Sequence, residues 1–240
     1  MPKIHVLLKK EELDNQRLEG KVVVVLDILF ATTSIVAAIA NGAKEVVPLP
    51  DGKAALAEAE KRKKGTYILS GELNADTLPG FCHPTPLALL RENVAGRAVL
   101  YCTTNGTVAV HKARHADQIY AAALVNGRAV VERILKEQGD ETVLIVCSGS
   151  ADNFNLEDFY GAGHFVALFS ALAPGHYDYT DAAIAAETLY AKSDAIESLK
   201  RARIGRLMLS RGLDEEIAFA AQQDCFDVVP KLVGGVLRAT

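Results

Sequence analysis

The chain has 240 residues, half of them hydrophobic, which is ample apolar material for a sizeable core and excludes disorder as a serious option. Lys and Arg number 26 against 30 Asp and Glu, a formal charge of −4 with no long basic run, so the footprint of a nucleic-acid binder is missing and small-molecule partners are expected. No apolar run reaches the roughly 18 residues of a membrane span and the start MPKIHVLLKKEELD holds no apolar signal region, so a soluble, cytoplasmic protein is expected.

In chain order, unbroken apolar runs of strand length recur: KVVVVLDI from Lys21, EVVPL from Glu45, TYILS from Thr66, RAVLYCT from Arg97, QIYAA from Gln118 and TVLIVCS from Thr142. Between most of them lie alanine-rich stretches with helical spacing, at 52–64, 106–114 and 125–138. Strands that are apolar throughout belong to a sheet covered on both faces, and the βαβα rhythm makes that sheet largely parallel. The expected fold class is α/β, a largely parallel or mixed sheet flanked by helices. From Leu156 to about Gln223 the pattern is mainly helical, with Pro174–Gly175, Gly205 and Gly212 as breaks and CFDVV from Cys225 as a late strand. No linker or internal repeat divides the chain, so 1–240 reads as a single compact unit, and any division into two intimately packed lobes falls near 120–155. The four cysteines, Cys82, Cys102, Cys147 and Cys225, form no CxxC pair, which argues against a zinc knot or a redox dithiol.

Ligands of open parallel sheets bind beyond the carboxyl ends of the strands, and three strand-to-helix turns here are unusually polar: LDILFATT at Leu26, YCTTNGT at Tyr101 and VCSGSADNFNLED at Val146. Asn-Gly occurs three times. At Asn41 it follows an apolar helix and reads as an ordinary helix stop, and at Asn126 it is ambiguous. Asn105-Gly106 directly follows a strand among Thr103, Thr104 and Thr107, and so supplies hydroxyls, an amide and an unobstructed backbone suited to a phosphate or carboxylate, or else a plain N-cap with a tight turn. The third turn adds Ser148, Gly149 and Ser150, then Glu157 and Asp158 in a first helical turn. If the three turns lie side by side, Asp27 and Asp158 bring hard oxygen ligands beside an anion cradle, the manner in which Mg²⁺ binds with waters and a substrate phosphate. Glu72 in LSGELN and Asp181 in YTDAA are further candidates, as extra ligands or as a general base, although Asp181 also suits an N-cap. His83 sits on a Pro-rich turn, and one of the four arginines in RARIGRLMLSRG, turned inward, would clamp a second acidic group.

Together these segments resemble the 2-phosphosulfolactate phosphatase family, magnesium-dependent phosphatases of coenzyme M biosynthesis. The resemblance spans nearly the whole chain and is carried by the strand, aspartate and ATT of Val22–Thr33, ANGA at Ala40, GE at Gly71, PGF at Pro79 with Pro86, TTNGT at Thr103, EDFYGAG at Glu157, TDAA at Thr180 and VVP at Val228. Two departures stand out: the family's Asp-x-x-Arg-Ala-Thr reads DILFATT here, with Phe30 in the arginine's place, and its Gly-Asn-Ser-Pro-like turn reads CHPTP. The resemblance implies hydrolysis of a small 2-hydroxy acid's phosphate ester, with Asp27 and Asp158 on Mg²⁺, Thr104, Asn105, Gly106, Thr107 and Ser148 on the substrate, and Glu72 or Asp181 as base. Direct attack by water and a phosphoaspartyl intermediate both remain open, and a homodimer is the expected assembly. The alternative is a non-catalytic sensor or carrier of an anionic metabolite, for which Phe30 is the motive. A nicotinamide enzyme is disfavoured, because no GxGxxG follows the first strand.

Overall fold

The computed structural model describes residues 1–137 and 139–240. Its strands are β1 (Lys3–Leu7), β2 (Lys21–Leu26), β3 (Glu45–Leu49), β4 (Tyr67–Leu73), β5 (Asp76–Thr77), β6 (Ala98–Cys102), β7 (Gln118–Ala122), β8 (Thr142–Cys147), β9 (Asp178–Tyr179), β10 (Pro230–Val233) and β11 (Val236–Ala239). The helices are α1 (Ala31–Ala40), α2 (Gly52–Glu60), α3 (Pro86–Leu90), α4 (Gly106–Lys112), α5 (Gly127–Glu137), α6 (Leu156–Leu172), α7 (Asp181–Ala191), α8 (Ala195–Arg201), α9 (Arg203–Ser210) and α10 (Asp214–Ala220). The α/β class expected from the apolar runs is what the chain forms, with a mixed sheet. The end of the helix expected at 125–138 falls on Gln138, outside the described residues.

The strands join in one sheet of order β5-β4-β6-β3-β11-β10-β7-β2-β8-β1-β9. β4, β6 and β3 run parallel in one half, and β7, β2, β8, β1 and β9 run parallel in the other. β7, which overlaps the start of residues 120–155, and β8, which lies within them, both belong to the second half. Between the halves sits the hairpin β10–β11, antiparallel to β7 through Lys231–Tyr120 and to β3 through Leu237–Val46. Three antiparallel steps in succession make the halves run in opposite senses. In a flat sheet of this order the carboxyl ends of β2 and β6 would face opposite edges, with the strands roughly 24 Å apart at about 4.8 Å per spacing. Yet a Cβ built on Gly106, just past β6, would stand 2.8 Å from the Asp27 Oδ2 just past β2. The sheet therefore turns sharply at the hairpin, and the carboxyl ends of its two halves converge.

Helix α1 fills the space this turn creates. Every residue from Ala31 to Ile39 is buried, and Ile35 and Ala38 pack in one cluster with Val46, Ile68, Val99 and Tyr101 of the first half and Ala121 of the second. Helix α4 lays Ala109 and Val110 on Val23 and Val25 of β2, and α6 packs Phe165 and Phe169 in the cluster that holds Val24 and Ile145. Each fully buried Val or Leu side chain in such layers contributes about 1.5–3 kcal/mol relative to exposure. The seam is fastened by Glu45 of β3, buried between Arg62 at 2.9 Å and Arg238 of β11 at 2.6 Å.

Two local expectations are corrected. CFDVV is not a strand; the N–H groups of Asp224 and Phe226 bond to the carbonyls of Leu124 and Val125, so the segment follows the loop after β7 and the ladder begins only at Pro230. Gly205 does not interrupt a helix but lies inside α9, where a Cβ would meet the Leu199 carbonyl, so it permits the close approach of α8. The alternating KIHVL of β1 and the hairpin turn Gly234-Gly235, both glycines at positive φ, are elements beyond the sequence expectations. Among the described residues no helix is long and apolar enough to cross a membrane.

Candidate active site

The apolar run VVVVL makes β2 a central strand and delivers Asp27 to its carboxyl end. The turn into α1 is knotted by Thr32, whose Oγ1 accepts from the Asp27 N–H at 2.8 Å and donates to the Asp27 carbonyl at 3.0 Å. Asp27 Oδ1 accepts from the Ala31 N–H at 3.3 Å, so the side chain does steady the helix start. Its other oxygen lies toward Gly106, where the lack of a side chain lets the turn after β6 press against it.

That second turn brings Thr103, Thr104 and Asn105 to the same cavity. Glu72, at the end of β4, braces it: Oε1 accepts from the Thr104 N–H at 2.6 Å and Oε2 from the Thr104 hydroxyl at 3.1 Å and the Ala75 N–H at 2.6 Å. Lys10, 6 % exposed, donates from Nζ to Asn105 Oδ1 at 3.1 Å and to the Ser148 carbonyl at 3.2 Å. This orients the Asn105 amide so that its NH₂ group is the end left for a ligand. Thr107 is buried and faces its own turn, accepting from the Thr103 N–H at 3.2 Å and donating to the Thr103 carbonyl at 2.9 Å.

The third turn joins β8 to α6. Ser150 Oγ donates to Asn155 Oδ1 at 2.8 Å and accepts from the Arg203 guanidinium, which fixes that arginine at the rim. The Ser148 hydroxyl is buried without a partner behind the cavity wall. Asp158 is 1 % exposed and both its oxygens are engaged, Oδ1 by the Ile28 N–H at 2.9 Å and Oδ2 by the Gly149 N–H at 3.1 Å. It ties the first turn to the third from beneath. Its neighbour Glu157 is equally buried, yet neither of its oxygens has a hydrogen-bond partner.

The resulting cavity of about 290 Å³ is lined by Asp27, Glu72, the Thr103–Asn105 turn, Ser150 and Arg203, with Leu29, Phe30, Ile204 and Leu207 among its apolar walls. Asp27 and the two carboxyls behind the wall, Glu157 and Asp158, are strongly perturbed. Burial pushes Asp27 up to about 6, with the charge of Glu72 adding to the effect. Burial likewise pushes Glu157 up to about 7, helped by the charge of Asp27, and raises Asp158, helped by both. Buried carboxylates that hinder one another's ionisation mark a place where a cation or a proton is wanted. No three His, Cys, Asp or Glu side chains converge on a common point among the described residues, so no all-protein cage exists there.

The sequence-derived candidates thus divide. Asp27, Glu72, Thr104 and Asn105 line one cavity, and Gly106 backs onto Asp27. Thr107, Ser148 and Asp158 lie behind the wall as supports. Asp181 stands elsewhere: it is exposed at the start of α7, and the preceding Thr180 N–H bonds to the Ile4 carbonyl near the start of β1, where β9 pairs with Lys3 and Ile4, far from the carboxyl end of that strand. Sequence reasoning missed Lys10 altogether, left Arg203 undistinguished among four arginines, and gave Glu157 no role.

The family model described as 2-phosphosulpholactate phosphatase matches residues 7–235. A protein of Thermotoga maritima named probable 2-phosphosulfolactate phosphatase is 36% identical, over 91% of this chain and 92% of its own length. Relatives of the same name from Symbiobacterium thermophilum and Clostridium tetani are 34% and 30% identical, covering 92% and 98% of this chain and 94% and 99% of their own. With matches that run through the strands, the three polar turns and the helices behind them, the chain belongs to the 2-phosphosulpholactate phosphatase family.

Proposed function

We propose that the protein is a Mg²⁺-dependent phosphoric monoester hydrolase that cleaves the phosphate ester of a small 2-hydroxy acid; the names of its relatives support the phosphatase part of this reading. The observation that carries this reading is the convergence of Asp27, the Thr104–Asn105 turn and Arg203 on one cavity. The cation is part of the proposal, and the donor set suits it. Asp27 lines the cavity and Glu157, behind the lining but near enough to feel the Asp27 charge, has two buried, unpartnered oxygens, which suits a hard ion that takes one or two carboxylates plus waters and phosphate. Asp158, with both oxygens held by backbone N–H groups, is better suited to positioning than to direct ligation. When bound, Mg²⁺ supplies neutralisation of the phosphoryl oxygens.

The remaining chemistry falls to the chain. The Asn105 NH₂ group donates to a phosphoryl oxygen, Lys10 keeps the Asn105 amide in that orientation, and Thr104, whose N–H and hydroxyl are both held by Glu72, fixes the turn beside it. Arg203, anchored on Ser150 and Asn155, pairs with the substrate carboxylate. Of the two candidate bases only Glu72 lines the cavity, and its carboxylate is held by Thr104 and Ala75. In the reaction a water oxygen bonds to phosphorus and its proton passes to Glu72. The bond from phosphorus to the C2 oxygen breaks, and that oxygen takes up a proton to give the free hydroxy acid. A place in coenzyme M synthesis belongs to the same reading and rests on the family resemblance; a cytoplasmic location rests on the lack of a long apolar run and a homodimer on the frequency of that assembly.

The test is release of inorganic phosphate from a panel of 2-hydroxy acid phosphates. The reading expects turnover with Mg²⁺, its loss in EDTA and its return on adding Mg²⁺ back. Ligand-dependent thermal stabilisation without phosphate release from any ester would instead favour a sensor of anionic metabolites.

A further inference from the structure

We propose that the substrate carries an apolar group at C3, aryl or branched alkyl, and not a second strong acid; this deepens the phosphatase reading and rests on it. Leu29, Phe30, Ile204 and Leu207 line the cavity beside its polar end. The Phe30 ring is held by the His83 ring, with centroids 6.1 Å apart at 43°. His83 brings no positive charge there, because burial lowers its pKa below the ordinary 6.5.

Charge points the same way. Asp27 and Glu72 line the cavity, and Arg203 is its one basic lining residue among the described residues. Arg203 is anchored by Ser150 Oγ and Asn155 Oδ1, which leaves it little freedom to serve two anions. Lys10 sits behind Asn105 and is paired with Glu11 at 3.1 Å. Arg211, near the mouth, is paired with Asp76 at 3.1 Å and bonded to the Ala75 carbonyl. A 2-phospho acid therefore uses the available positive charge with its phosphate and its carboxylate. A sulfonate at C3 would be left against Phe30, Ile204 and Leu207, desolvated and unpaired, whereas a phenyl or isopropyl group there buries apolar surface against apolar surface.

The experiment compares kcat/KM for 2-phospho-3-phenyllactate and 2-phospho-3-sulfolactate, and in parallel the thermal stabilisation each confers in EDTA, where turnover is stopped. The phenyl ester is expected to be preferred by roughly tenfold or more, and Phe30→Arg to reverse the order; if that variant does not fold, Leu207→Arg serves the same purpose. Hydrolysis of both esters with the sulfonate preferred, or with equal rates, overturns the inference and leaves the phosphatase reading standing. If neither ester is hydrolysed the phosphatase reading fails, and the stabilisation arm still decides the pocket's preference. Stronger stabilisation by the phenyl ester then supports the apolar assignment, and equal or stronger stabilisation by the sulfonate overturns it.

Discussion

Replacing Glu157 by glutamine removes a buried negative charge whose two oxygens have no hydrogen-bond partner. Burial, with the charge of Asp27 adding to it, raises this carboxyl from 4.5 to about 7. In free energy that difference is roughly 3 kcal/mol. Below pH 4.5 the group is protonated in the folded and unfolded chains alike, and nothing is lost. As the pH rises toward 7 the unfolded chain releases its proton first, so the folded state loses stability through that window and the loss is complete above 7. Glutamine keeps the shape without the charge, although its buried NH₂ group also lacks a partner. The metal-free variant should accordingly be more stable than the parent at pH 8 by about 1–3 kcal/mol. For a chain of this size that raises Tm by a few degrees to about 10 °C. Thermal unfolding followed by circular dichroism in EDTA at pH 5 and pH 8 reads it directly. The advantage should largely vanish at pH 5, and Mg²⁺ at pH 8 should stabilise the parent more than the variant. A variant that is less stable than the parent at pH 8, or favoured equally at both pH values, would refute the reasoning.

Three further substitutions probe the supports. In Gly106→Ala the new methyl would stand 2.6 Å from the Ala31 Cβ and 2.8 Å from the Asp27 Oδ2; the Ala31 Cβ is fixed to the buried start of α1 and the Asp27 carboxylate is tied to the Ala31 N–H, so a cost of about 1–3 kcal/mol and a loss of activity of about 100-fold are expected by denaturation and steady-state assay. Lys10→Met keeps the stem but frees Asn105 Oδ1 and the Ser148 carbonyl; kcat should fall by about tenfold or more, and unchanged turnover would remove Lys10 from the positioning role. Glu216 caps α3 from a distance, accepting from the Thr85 hydroxyl at 2.7 Å and from the N–H groups of Leu87 at 2.8 Å and Ala88 at 3.0 Å. Glu216→Ala should lower unfolding stability by about 1–3 kcal/mol, measured by urea titration.

Much of the frame was legible because it depends on local pattern. An apolar strand ending at Asp27 and a strand ending before Thr103-Thr104-Asn105-Gly106 are visible from periodicity and turn chemistry, and both turns line the cavity. Asn41-Gly42 caps α1 with Gly42 at positive φ, as a helix stop should. What escaped depends on contacts between distant segments. Nothing local separates Lys10 from the exposed lysines, or Arg203 from Arg201 and Arg206; only the folded chain sets Lys10 against Asn105 and Arg203 against Ser150. Asp158 and Glu157 are sequence neighbours of the same charge, and only the hydrogen bonds from Ile28 and Gly149 tell them apart. Asp181 stood beside Glu72 as a candidate ligand or base because an acidic first-turn residue has the same signature wherever its helix lies; the short edge pairing of β9 takes it away from the cavity. The opposed halves of the sheet follow from a Gly-Gly hairpin whose pairing partners lie more than a hundred residues away in the chain.

The central claim is that a divalent cation and a tetrahedral oxyanion share the cavity between Asp27, Asn105 and Arg203. A crystal structure of the protein with Mn²⁺ and orthovanadate tests it most directly, since the anomalous signal locates the metal independently of the anion. The account predicts the metal on the Asp27 carboxylate and the vanadate within hydrogen-bond reach of Asn105. A metal bound away from Asp27, or vanadate held elsewhere with Asn105 unengaged, would contradict it.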